Sequence, residues 1–162
     1  MTVIAQSGIQ VDLPAGWEGR IQRGPDLIAP AGGALNDGLL ANGGRFYTVV
    51  HAANFALPTE VADYGGGAVE VMGRKDLLVV LCEFGPESVG QPMFASAGLP
   101  TVTANDFGTQ SMQRVIEGQG GCQKFFTVQG RAFCLYVVVG SYLRRFRTVP
   151  LINELIRGIT IT

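Results

Sequence analysis

The chain has 162 residues, a length for one domain, and its twelve Lys and Arg against thirteen Asp and Glu leave a net charge of -1, so no general attraction to nucleic acid or anionic membrane is implied. Apolar residues make up 47%, which excludes a disordered chain, while 23 glycines are about twice the usual ~7% and charged residues, at 15%, fall below the usual ~25%. A folded monomer of this mass exposes on the order of 7,800 Å², which leaves roughly 310 Å² per charge against about 190 Å² at ordinary composition. Either small polar residues solvate that surface, or an oligomer mate or partner covers part of it.

Residues 2–5 and 9–13 read as short extended segments separated by Ser7 and Gly8 and closed by Pro14. In the stretch 17–23, Trp17, Gly19 and Ile21 alternate with Glu18, Arg20 and Gln22, the period of a strand with one wet side. The Gly, Asn and Pro-rich residues 30–44 have neither helical nor strand period and read as a surface loop. Residues 45–55 are β-rich and apolar on both faces, and Pro58 stops them. Thr59 and Glu60 are placed to open a helix with Val61, Tyr64, Ala68 and Met72 on one face; a shorter helix over 67–72 fits equally, because Gly65, Gly66 and Gly67 interrupt the longer one. LLVVLCEF, at 77–84, is a continuous apolar run expected to form a central strand covered on both faces.

Residues 85–121 are irregular, with a strand expected over 102–107 and a short helix over 110–116. Cys122 to Val128 and Arg131 to Val139, joined by Gln129 and Gly130, read as a two-residue hairpin. That register sets Phe125 against Cys134, Phe126 against Phe133 and Cys122 against Val137, so Cys122 and Cys134 point to opposite faces and form no disulfide within the hairpin. Residues 148–157 form an amphipathic helix, with Thr148 as N-cap, Pro150 in the first turn and Gly158 at the end, and ITIT returns as a final edge strand.

The first residues carry no secretory signal, and the apolar runs 77–82 and 132–140 fall short of the ~20 residues of a membrane span. A soluble, cytoplasmic protein is expected. Three cysteines without CxxC spacing argue against a disulfide framework and a zinc site, and no cofactor motif is present: the glycine clusters lack phosphate-loop spacing and read as turns.

The order of elements is that of an α+β domain spanning 1–162, with a mostly antiparallel sheet and irregular loops at about 30–44 and 85–121. VDLPAGW at 11–17, GRAFCLYVVVGS at 130–141 and TVPLINELIRGITI at 148–161 resemble the PsbP-like superfamily, which includes the photosystem II extrinsic protein, the Ran-binding nuclear import factor and small chaperones of type VI secretion effectors. The resemblance implies an α/β/α sandwich that binds proteins, in secretion systems as dimeric adaptors shielding apolar segments of a cargo.

SYLRRFR, at 141–147, is the only basic cluster. Tyr142, Arg144, Arg145, Phe146 and Arg147, together with Trp17, are the candidate anchors of a protein-binding surface, since Trp, Tyr and Arg dominate interface energetics. The expected function is that of a non-enzymatic adaptor, chaperone or assembly component, a homo-oligomer or part of a secretion or injection complex. The alternatives are a small-ligand carrier with a pocket between sheet and insert, and a thiol-dependent hydrolase using Cys122 and His51, the only histidine.

Overall fold

The computed structural model describes residues 1–23, 47–62 and 64–162; the loop read over 30–44 lies outside them. The strands are β1 (Thr2–Gln6), β2 (Ile9–Leu13), β3 (Glu18–Arg23), β4 (Thr48–Ala53), β5 (Leu77–Glu83), β6 (Gly120–Val128), β7 (Arg131–Val139) and β8 (Ile159–Ile161), with one helix, α1 (Arg145–Arg157), before the last. Among the described residues these strands form two antiparallel sheets, β3-β4-β5-β7-β6 and β1-β2-β8. The class is α+β, with mostly antiparallel sheet and a C-terminal helix.

The two sharp hairpins follow from local chemistry. Gln129 (φ 52°) and Gly130 (φ 68°) both take positive φ, as do Ser7 (φ 55°) and Gly8 (φ 73°) between β1 and β2. Two successive left-handed residues match the twist of the flanking strands. The β6–β7 register is the expected one, with Phe126 against Phe133 and Cys122 against Val137, and β6 begins two residues earlier than the sequence suggested.

β5 is the central strand, flanked by β4 and β7. Its alternation sends Leu77, Val79 and Leu81 into one core with β2, α1 and β8, and Leu78, Val80 and Cys82 into a second core with Val61, Tyr64, Phe84 and Phe94. Each fully buried Leu or Val there is worth about 1.5–3 kcal/mol relative to exposure, so continuous apolarity is what a strand covered on both faces requires. One cover is the small sheet and α1, joined by Leu99, Val102 and Phe107 of the insert; the other is irregular chain from 54–62, 64–72, 84–94 and 112–116 rather than a helical layer. Ring contacts hold that second cover, with Phe94 5.0 Å from Phe84 and 5.7 Å from Phe125 between centroids.

Several local expectations are corrected. The helix expected after Thr59 is reduced to a 3-10 turn at Val69–Val71, because Gly65 (φ 78°) and Gly67 (φ 90°) turn the chain, and a side chain at 65 would collide with Leu78. The strand expected over 102–107 is an extended entry into a 3-10 turn at Ala104–Asp106. The Asp106 carboxylate accepts from the Thr103 main-chain N–H at 2.7 Å and from its hydroxyl at 3.1 Å, a local capping pair that competes with ladder formation. No helix forms over 110–116: the Gln113 N–H donates to the Tyr136 hydroxyl at 3.0 Å and Arg114 pairs with Glu70 at 2.8 Å, so tertiary partners replace helical ones.

α1 starts at Arg145, three residues before the expected cap. Thr148 sits inside it, its hydroxyl donating to the Arg145 carbonyl at 3.2 Å. Gly158 ends the helix as expected, and its lack of a side chain also serves packing: a Cβ there would lie 2.7 Å from the Asp12 carbonyl, whose own N–H donates to Gly158 O at 2.9 Å. Among the described residues no helix is long and apolar enough to cross a membrane.

Candidate functional site: the start of the C-terminal helix

β7 leads through Gly140 and Ser141 into a 3-10 turn, Tyr142–Arg144, which runs directly into α1. Two contacts with the insert fix this turn. The Tyr142 N–H donates to Gly118 O at 2.7 Å, and the bare Cα of Gly120 makes room for the Tyr142 ring, which a Cβ would approach to 2.9 Å.

Arg145 organises the cluster. Its guanidinium carbon lies 3.9 Å from the Tyr142 ring centroid and 4.6 Å from that of Phe146, while Nε donates to Ala104 O at 3.1 Å and Nη1 to Tyr142 O at 3.0 Å. A planar cation held between two rings and two carbonyls is fixed in place, and stacking of this kind is worth about 0.5–1 kcal/mol at exposed sites. Arg145 therefore positions Tyr142 and Phe146 and ties the insert to the helix.

Around it the solvent face of α1 carries apolar side chains among its charges, where an amphipathic helix is ordinarily polar throughout. At 100° per residue Phe146, Arg157, Pro150, Glu154, Arg147 and Leu151 share one arc of α1, and all are exposed, Phe146 at 65%; Leu143, in the turn just before the helix, is 82% exposed. Leu151, one residue before the fully buried Ile152, is 47% exposed at the margin of that arc. An open cleft of about 520 Å³ adjoins this face, between Gly108–Gln110 and Gly118–Gln119 of the insert and Tyr142 and Leu143.

The electrostatics are as unusual. Arg144 caps the helix and Arg145 and Arg147 occupy its first turn, which holds no acid. The N-terminal end of a helix dipole repels cations, typically by about 0.3–1 kcal/mol each. Among the described residues the ion pairs are Arg114–Glu70, Lys124–Asp106 and Arg131–Glu83, so Arg144 and Arg147 have no acidic partner there.

The other candidates lie elsewhere. Trp17 is half-buried against the first core with Ile4 and Ile21, beside the β3 edge of the large sheet, whereas the Tyr142 turn leans on the β6 edge. The side of β3 expected to be wet is partly covered, with Arg20 donating to the carbonyls of Pro58 and Thr59 at 3.1 Å. His51 is fully buried, its Nε2 donating to Ala62 O at 2.9 Å, and it shares the second core's face with Val49 and Ala53. Cys122 belongs to the first core, on the opposite face of the same sheet, so the two are not brought together. Burial pushes the thiols of Cys122 and Cys134 up to about 12, and Asp106 adds to the effect at Cys122. Cys82 stands directly across from Cys134 on the second core's face. No group of three or more His, Cys, Asp or Glu among the described residues is placed to hold a metal ion.

The basic cluster was visible in the sequence, whereas the exposure of Leu143, Pro150 and Leu151 was not. The available signal was Leu143 within SYLRRFR, an apolar residue flanked by ring and charge. Compared with protein-family models, curated proteins and solved structures, the chain finds no match among any of them.

Proposed function

We propose that this chain is a non-enzymatic protein-binding adaptor or assembly component that docks its partner on the solvent face of α1 and the turn before it. The observation that carries this reading is the set of exposed apolar side chains, Leu143, Phe146, Pro150 and Leu151, beside Arg144 and Arg147, which have no ion-pair partner among the described residues. Apolar and arginine side chains around a prefixed ring cluster are the composition of an interface centre. The PsbP-like resemblance, with its cargo-shielding adaptors of secretion systems, agrees with this reading, and so does the low density of surface charge. The burial of Cys122 and its separation from His51 favour it over the thiol hydrolase.

The test is a photo-crosslinking side chain at position 143 in the intact source cell. A discrete protein adduct that disappears in Phe146→Asp, with the unfolding midpoint retained, is the expected result. No adduct, or one indifferent to Phe146→Asp, removes the assignment.

A further inference from the structure

We infer that the partner presents an acidic segment carrying bulky apolar side chains, its carboxylates over the start of α1 and its apolar residues along Phe146, Pro150 and Leu151. This rests on the docking surface proposed above and names what docks there.

Charge complementarity decides the occupant. Three arginines and the positive end of a helix dipole meet at one point, with no acid in the first turn. Arg145 is already engaged with two carbonyls and two rings, which leaves the forks of Arg144 and Arg147 for carboxylates, a pairing whose planar geometry is bidentate. Further along the same arc stand Glu154 and, in the last turn, Arg157, both exposed, so the acid-free stretch of positive charge is confined to the helix start.

The same charges argue against other occupants. A second copy joined by a two-fold axis at the helix start would set like arginines against one another, a juxtaposition that costs rather than stabilises. A homo-oligomer, if formed, would use another face. An anionic bilayer is read by clusters of about four to eight basic residues, more than the two available here. Nucleic acid gains affinity from each phosphate neutralised, and two arginines on a chain of net charge -1 supply few.

The experiment is selection from a random peptide library displayed on phage against the folded protein, followed by titration of the enriched peptides. The expected result is enrichment of Asp and Glu interspersed with Leu, Ile or Phe. Affinity should fall at least roughly tenfold in Arg144→Glu/Arg147→Glu, and also in Arg147→Glu alone, which spares the helix cap, with circular dichroism retained and the unfolding midpoint not lowered. Enriched peptides without acidic bias, or binding indifferent to both variants, overturn the inference. So does sedimentation to a dimer abolished by Phe146→Asp, or co-sedimentation with phosphatidylserine vesicles with no peptide enriched. A crosslinked partner lost in Phe146→Asp but kept in Arg144→Glu/Arg147→Glu would remove the acidic chemistry and leave the docking surface standing.

Discussion

The side-chain amide of Asn153 exchanges two hydrogen bonds with the main chain of Val102, its Oδ1 accepting from the N–H and its Nδ2 donating to the carbonyl, both at 2.9 Å. An amide side chain is itself a peptide group, so α1 offers the insert the same donor and acceptor that a neighbouring strand would. Val102 is buried, and its main-chain groups have no water to fall back on.

Asn153→Ala should therefore destabilise the fold by about 1–3 kcal/mol, the cost of leaving buried polar groups unpaired. Asn153→Asp should fall short of the native chain as well, because it keeps the acceptor and loses the donor. Urea unfolding gives the size of the effect, and hydrogen exchange at residues 99–107 should show protection lost there first.

Arg131 ties three parts of the chain together. Its Nε and Nη2 donate to the two Glu83 oxygens at 2.8 and 2.9 Å, Nη2 also reaches Ser7 O at 3.0 Å, and Nη1 reaches Thr162 O at 3.0 Å. Arg131→Lys keeps the charge and loses the fork. It should cost on the order of 2–3 kcal/mol, below the 3–5 of a fully buried pair because both side chains retain some exposure. Chemical denaturation measures it, and a change within a few tenths of a kcal/mol of zero would contradict the role.

At Arg147 stability and function should part company. Arg147→Glu replaces a cation by an anion in the first turn of α1, so the unfolding midpoint should rise, reflecting a stability gain of about 0.3–1 kcal/mol at low salt, while partner binding weakens. A midpoint that falls would mean that Arg147 supports the fold rather than a partner.

The thiols set a pH limit on the high side. Cys122 and Cys134 titrate near 12 in the folded chain against 9.0 when unperturbed, chiefly through burial, so between these values the native state holds protons that the unfolded state has released. Stability is then unaffected by these groups below about pH 9 and falls as pH rises towards 12. The buried Tyr136 hydroxyl, also pushed up, acts in the same direction. Denaturation between pH 8 and 10.5 should show the decline, shallower in Cys122→Ala, and native-state labelling of Cys122 and Cys134 at pH 8 should be slow.

Pattern carried the sequence reading furthest where one period governed. β5 was legible because an apolar run of strand length needs cover on both faces, the β6–β7 hairpin because Gln129-Gly130 dictates its register, and α1 because its buried face repeats every three to four residues. Where side chains replaced main-chain partners, pattern failed. Thr103 and Asp106 built a turn inside an apparent strand, and Asn153, on the polar side of the helical wheel, proved to be a partner for main chain 51 residues away. The candidate site divides the same way. SYLRRFR was conspicuous by composition, but Trp17 was separable from it only once β3 and β6 were seen at opposite edges of one sheet.

The insert also closes an otherwise open flank. β6 is a nine-residue edge strand, and the irregular chain fastens to it at two points: Gly108 exchanges hydrogen bonds with Gly121, and Thr127 bonds to Ser96 and Gly98. An unguarded border of that length is a template on which further chains can stack. The untidy middle of this protein thus occupies part of a border on which strangers could otherwise assemble.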